Sequence, residues 1–354
     1  MKTSEENIEF VAIGDTVIDA FIRLKIAREN HNAESGALEL CMPFADKIPY
    51  DFAEEVPAVG NSANAAVSAA RLGLKAALVT DIGGDQHGRE CLDRLHKETV
   101  DTSLITVHQD LNTNYHYVLW FEKERTILIK HETYPYKLPE IISPKWLYLS
   151  SLGENALDYH KQIEQYLIAH PEVNLVFQPG TFQIKLGKEA LAEIYKRSKV
   201  FFCNVEEAEL ILGMPNAAHP GTQEKRKAQV KILLEKIAAL GPEIVVITDG
   251  PDGAYARYVE KNQVGQENTV VSLFVPEYPD PRPAYERTGA GDAFSSTFIV
   301  ALVLGKDISE ALKWGCVNSA SVVQQVGAQK GLLNREQLEK FLLEAPQGWS
   351  VDNI

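Results

Sequence analysis

Apolar residues follow two rhythms along the chain. Short continuous apolar runs of strand length lie at 10–13, 76–79, 146–149, 175–177, 200–203 and 244–247. Unbroken runs of this kind mark strands covered on both faces. Segments of helix length separate them, at 62–72, 88–99, 156–169, 189–197 and 224–239, and an apolar helix follows Phe294 to about Leu304. Strands alternating with helices predict an α/β protein with a mainly parallel sheet sandwiched by helices. Residues 20–50 and 113–133 break that rhythm: both are strand-like, and Tyr115, Tyr117, Leu119 and Phe121 alternate with their neighbours. A period of two predicts an antiparallel sheet with one half-exposed face. The two pieces are read as a small β lid on one α/β domain spanning residues 1–354. The segment Tyr278-Pro279-Asp280-Pro281-Arg282-Pro283 reads as a stiff loop, because each Pro fixes φ and disfavours helix before it.

Composition narrows the partners. Lys plus Arg number 35 against 49 Asp plus Glu, a net charge of −14, so no global basic field draws the chain to nucleic acid or an anionic membrane. Cys41, Cys91, Cys203 and Cys316 lie far apart with no C-x-x-C pair, which supports neither a zinc site nor a disulfide framework. The first ten residues are polar and acidic, unlike a signal peptide. The longest apolar stretch, 298–304, is far below the ~18–20 residues that cross a bilayer. The expectation is a soluble, cytoplasmic protein.

The most informative residues are Thr288-Gly289-Ala290-Gly291-Asp292-Ala293-Phe294. Small residues at a helix start leave backbone N–H groups open to an anion, and the helix dipole adds positive potential there. An aspartate in such a place suits a base that takes a proton from an attacking hydroxyl beside a phosphoryl group. The plainer alternative is a glycine-rich helix start with Asp292 favouring the dipole. Other phosphate and hydrolase signatures are missing: there is no G-x-x-x-x-G-K-[ST], no G-x-G-x-x-G after the first strand, no H-E-x-x-H and no G-x-S-x-G. The nine histidines are scattered along the sequence.

In family order, five motifs resemble those of the ribokinase-type (PfkB) carbohydrate and nucleoside kinases. They are Gly60-Asn61-Ser62-Ala63-Asn64 with Ala69-Ala70-Arg71-Leu72-Gly73, then Gly84-Asp85-Gln86-His87-Gly88, Asn204-Val205-Glu206-Glu207, Thr248-Asp249-Gly250-Pro251-Asp252-Gly253, and the Gly-Ala-Gly-Asp segment. The resemblance implies ATP as donor, Mg²⁺ as its companion and a small-molecule sugar or nucleoside as acceptor. It casts Asp292 as catalytic base and Gly289, Ala290 and Gly291 as the anion hole. Asp19, Gly60, Asn61 and Asn64 would bind the acceptor; Asn204, Thr248, Gly250 and Gly253 would bind the nucleotide, with Glu207 at the Mg²⁺ through water. Asn204 followed by two acidic residues also reads as an ordinary helix cap, and both roles can hold together. Relatives often dimerise through the lid, and Tyr115, Tyr117 and Trp120 read as exposed aromatics that permit this, so a homodimer is an expectation here. A non-catalytic sugar- or nucleotide-sensing relative is the alternative reading.

The chain departs from the family pattern at several places. Glu286-Arg287 replaces an Asp-Thr pair whose aspartate helps hold a monovalent cation. The expectation is that this cation site is lost and that Arg287 supplies positive charge instead. Val59 replaces the first glycine of a pair, and Gln178 stands where many relatives carry Asp. Cys316 replaces a His or Asn near the adenine, with Asn318 as a candidate substitute. Sugar and nucleoside acceptors stay unresolved, although Tyr115, Tyr117, Trp120 and Phe121 tilt the reading slightly toward room for a base under the lid.

Overall fold

The continuous apolar runs become the parallel part of a nine-stranded sheet. The structure, a computed structural model, describes residues 8–32, 38–122, 124–214, 219–260, 267–279 and 282–354. Asp280 and Pro281 of the Pro-rich loop lie outside the described residues, as do residues 33–37 and Lys123 of the two lid pieces and the first seven residues. From one edge, Ala76–Val79, Phe10–Ile13, Trp146–Leu149, Asn174–Phe177, Ser198–Asn204 and Ile244–Thr248 run parallel. Ala254–Glu260, Thr269–Val275 and Asp352–Asn353 extend the sheet antiparallel.

The period-two geometry of a strand splits each apolar run between two cores. Phe10 and Ala12 face one, where helices Asn61–Arg71, Ala290–Val303 and Ile308–Val322 pack; Val11 and Ile13 face the other, under Leu157–Ala169, Val205–Leu212 and Gln223–Ala238. Phe298 and Phe202 meet edge to face at 5.4 Å and join the helix that carries Asp292 to the sheet beneath it. Burial of such a side chain contributes roughly 1.5–3 kcal/mol. One helix begins earlier than expected, at Gln86, because the Asp85 carboxylate accepts the Gly88 N–H at 2.8 Å and caps it. Another is shorter: residues 188–191 form a turn, and the helix covers only Ala192–Arg197.

A second sheet of four strands stands apart, in the order Glu124–Leu128, Asn114–Phe121, Val17–Leu24 and Tyr50–Val59. Its outer pairs are antiparallel as expected, but the central pair, Val17–Leu24 with Asn114–Phe121, is parallel. A parallel pair needs a long crossover, and here most of one α/β half supplies it. The strand Tyr50–Val59 carries the sheet past the expected limit at residue 50. Alternation in Asn114–Phe121 holds, with Val118 and Trp120 on the buried face and Tyr117 half exposed. Trp120 is thus no exposed aromatic. Phe52 and Tyr285 meet its ring edge-on at 6.0 and 5.1 Å, and the Arg23 guanidinium lies 4.3 Å over it. Among the described residues no helix is long and apolar enough to cross a membrane, and the four cysteines are free.

Candidate active site

The parallel strands all end on one side, where ligand clefts of open α/β sheets form. Residues just past three of those ends (Asp15, Ser151, Gln178) or at two more (Asn204, Thr248) line one cavity of about 350 Å³, and the small sheet closes over it with Asp19, His116 and Arg125. The helix Ala290–Val303 points its N-terminus into the same space. Gly289 precedes it at φ 79°, where a Cβ would lie 2.2 Å from that of Ala328, so glycine alone fits. Gly291 has no neighbour within 4 Å of where a Cβ would stand, which leaves an open cradle at the helix start. Thr288, Gly289 and Gly291 line the cavity. Ala290, expected in the anion hole, does not line it; its N–H turns back to the Arg287 carbonyl at 3.3 Å.

Three amides hold Asp292. Asn61 Nδ2 donates to Oδ1 at 2.6 Å, Gln178 Nε2 to Oδ1 at 3.0 Å, and Asn64 Nδ2 to Oδ2 at 2.8 Å. Burial pushes the carboxyl above the usual aspartate range, the nearby Asp19 charge adds to this, and the three amide bonds oppose it. A buried carboxylate fixed in one orientation binds a proton more readily than an exposed aspartate and needs no rotamer change to do so. Asn61 and Asn64, expected to hold the acceptor, line the cavity and also fix the Asp292 carboxylate; Asn64 Oδ1 accepts from Gln329 Nε2 at 3.1 Å.

The departure at Gln178 follows from the same geometry. Tyr148 and Ser295 hydroxyls donate to its Oε1, which turns its NH₂ toward Asp292. An acid at 178 would set a second carboxylate against the first. Gln178→Glu is therefore expected to move the acid limb of the kcat–pH profile to higher pH by about one unit or more, because two adjoining carboxylates cannot both ionise easily. An unshifted limb in the variant's profile would show that Gln178 does not set the base's ionisation.

At the other end of the cavity Asp19 belongs to a polar chain that sequence reading largely missed. Asp19 Oδ1 lies 3.4 Å from His116 Nδ1, His116 Nε2 lies 3.3 Å from His131 Nε2, and His131 Nδ1 lies 3.0 Å from Asp15 Oδ2. Tyr136 donates its hydroxyl to Asp15 Oδ1 at 2.8 Å; burial first, then the Asp15 charge, keeps that phenol protonated. Gly60 stands beside this chain at φ 109°, where a Cβ would lie 2.6 Å from the Asp15 carbonyl oxygen. The histidines looked scattered because 15 residues separate them; the small sheet and the segment after it bring them together. Asp15 carried a visible signal, as the first residue after the Gly that ends the first strand.

Asn204, Glu207 and Thr248 line the opposite end. Asn204 Oδ1 accepts the Glu207 N–H at 2.8 Å and Glu207 Oε2 accepts the Asn204 N–H at 2.9 Å, a reciprocal cap that fixes both side chains at the cavity edge. Burial pushes the Glu207 carboxyl up, the Asn204 N–H opposes this, and the Asp292 and Glu206 charges add to the rise. Gly250 and Gly253 do not line the cavity; they shape the turn after Thr248, beside the Arg226–Asp249 ion pair. Asn318 is committed as well, donating to Thr297 Oγ1 at 2.7 Å and accepting the Leu333 N–H at 2.9 Å, while Cys316 is buried. Tyr115, Tyr117, Trp120 and Phe121 all stay outside the cavity wall, and Tyr115 donates its hydroxyl to Glu55 at 2.6 Å. These four residues therefore form no aromatic slot in the cavity wall.

The chain is similar to known proteins in sequence and in fold. The chain is 27% identical to the ribokinase of Bacillus subtilis over 299 residues, covering 80% of this chain and 87% of that protein. It is 26% identical to the 5-dehydro-2-deoxygluconokinase of the same organism over 306 residues, covering 80% and 86%. In fold it is similar to Arabidopsis thaliana ribokinase complexed with ribose and ATP, with a TM-score of 0.71 at 19% identity over 95% of this chain and 99% of that one. Cryptococcus neoformans ribokinase in complex with ADP gives 0.72 at 20% identity over 94% and 99%. The model of the pfkB family carbohydrate kinases matches residues 47–335. A helix start that offers an anion cradle beside a fixed buried aspartate is what a phosphotransferase needs, and the chain belongs to the pfkB family of carbohydrate kinases.

Proposed function

We propose that the protein transfers the γ-phosphoryl group of ATP to a hydroxymethyl group of a free sugar, not of a nucleoside. The observation that carries this is the wall of the acceptor end, where Asp15, Asp19, His116 and His131 supply donors and acceptors and no aromatic side chain of the small sheet faces inward. Such a surface suits a molecule with hydroxyls on every side, whereas a purine or pyrimidine needs an apolar slot. The fold neighbour that holds ribose and ATP, and the sugar-kinase names of the relatives, lend support.

In this reading the acceptor hydroxyl gives its proton to Asp292. Its oxygen forms the new bond to the γ-phosphorus as the bond to the β-bridging oxygen breaks, and ADP leaves with that electron pair. Backbone N–H groups at Gly289 and Gly291 hold the charge on the phosphoryl oxygens in flight. Glu207 and Asn204 are the residues that would hold a magnesium ion, which supplies charge neutralisation on the phosphates when bound. The small sheet acts as a lid that excludes water, the competing acceptor. Its exposed outer residues, Tyr50, Tyr117 and Leu128, are where we expect self-association.

Asp19→Ala is expected to weaken sugar binding about tenfold or more with little change in ATP binding, since a lost buried hydroxyl contact to a charged group costs roughly 1.5–3 kcal/mol. Calorimetry with each ligand separately checks this. Equal losses for both would mean that Asp19 shapes the fold and does not read the acceptor.

A further inference from the structure

Glu286 does not fit a monovalent cation. Its side chain is buried, and donors already meet both oxygens: Oε1 accepts the Thr288 N–H at 2.7 Å and the Thr288 hydroxyl at 2.5 Å, and Oε2 accepts the Gly327 N–H at 3.3 Å. A cation there would compete with three hydrogen atoms and would also face a guanidinium, because Arg125 Nη1 stands 3.5 Å from Oε1. The residue pairing with Glu286 is Arg125 of the small sheet and not its neighbour Arg287, which lies half exposed in a loose pair with Glu124 at 3.6 Å.

These contacts form a pattern. Tyr285, Glu286 and Arg287, three consecutive residues leading into Thr288-Gly289, are each touched by the small sheet: Tyr285 by Trp120, Glu286 by Arg125 and Arg287 by Glu124. Arg125 and Arg287 both line the cavity together with Gly289, Gly291 and Asp292, but only Arg125 is held by a buried carboxylate. A guanidinium carries five donors, and the ion pair with Glu286 engages Nη1. Its fixed charge suits phosphate oxygens and is never lost to deprotonation.

We infer that Arg125 is the built-in cation of the anion hole: carried on the small sheet and anchored by Glu286, it supplies the positive charge that holds the γ-phosphoryl group, and it does so only while that sheet is closed over the helix start. This rests on ATP being the donor. It gives the Glu-Arg departure a physical reason, since the longer Glu286 reaches both the Thr288 loop below the hole and the arginine above it. It also ties the arrival of charge to the exclusion of water, so an open lid would leave a weak anion hole.

The test uses Mg·ATP and Mg·ADP as probes and needs no acceptor. The full-length wild-type protein is expected to bind ATP more tightly than ADP, with affinities unchanged within twofold when K⁺ replaces Na⁺ or tetramethylammonium at constant ionic strength. Arg125→Ala is expected to lose about tenfold or more in ATP affinity and little in ADP affinity. Arg125→Lys, which keeps a charge on the strand, should recover part of the loss. An Arg125→Ala protein that keeps the wild-type ATP-to-ADP ratio, or a wild type whose ATP affinity rises strongly with K⁺, would overturn the inference. A wild type that binds neither nucleotide would overturn the ATP reading itself, so the two failures are distinguishable. If Arg125→Ala does not fold, the Lys variant and the cation series decide the matter alone.

Discussion

Asp292→Asn is expected to lower kcat by ~10²-fold or more while ATP and sugar affinities stay within a few-fold of wild type. The amide keeps the size of the carboxyl but cannot take a proton from the acceptor hydroxyl. Its oxygen can still accept from Asn61 and Gln178, which meet Oδ1, although Asn64 would then face an NH₂ where it now faces Oδ2. The helix start, its glycines and the cavity wall are unchanged by the substitution, so binding should survive. A variant with turnover near wild type would remove Asp292 from the chemistry and leave it a helix-start residue that favours the dipole.

The largest expected loss of stability lies away from the base. Arg226 Nε and Nη2 donate to the two oxygens of Asp249 at 2.6 and 2.5 Å, and both side chains are buried. Coulomb attraction between them is offset by the cost of taking two charges out of water, so the pair as a whole adds little. Removing one partner is different, because the other stays buried and uncompensated. Arg226→Met is expected to reduce the free energy of unfolding by about 3–5 kcal/mol, and Arg226→Met with Asp249→Leu by less. Chemical denaturation of both proteins reads this directly. A single variant within 1 kcal/mol of wild type, on the order of a surface pair, would show that water reaches Asp249. Because Asp249 adjoins Thr248 on the cavity wall, the single variant should also bind ATP more weakly.

Much of this architecture was readable from residue pattern. Unbroken apolar runs are a direct consequence of strands covered on both faces, so Trp146–Leu149 and Phe10–Ile13 appear with the expected bounds. Asp292 and its glycines could be found because a helix start that binds anions has a local sequence signature. The acceptor end could not. His116 and His131 meet only through the tertiary path of the small sheet, and no local rule couples two imidazoles 15 residues apart. The parallel pairing in that sheet was hidden for a related reason: alternation reports which face is buried and not which way the neighbouring strand runs. Trp120 was misjudged because its cover, Phe52 and Tyr285, comes from distant parts of the chain. The departure at Glu286-Arg287 was visible, and Arg287 does line the cavity, but the guanidinium that pairs with Glu286 is Arg125, from a strand 161 residues away in sequence, which no local rule could supply.

One measurement bears on the central claim most directly: product analysis by mass spectrometry after incubation of the protein with Mg·ATP and a panel of acceptors, including ribose, 5-dehydro-2-deoxygluconate, hexoses and the common ribonucleosides. One phosphate is expected on a free sugar, with an equal amount of ADP formed, no nucleotide made from any nucleoside, and a product rate lower by ~10²-fold or more in Asp292→Asn. Phosphorylation of a nucleoside with every free sugar left untouched would contradict the claim.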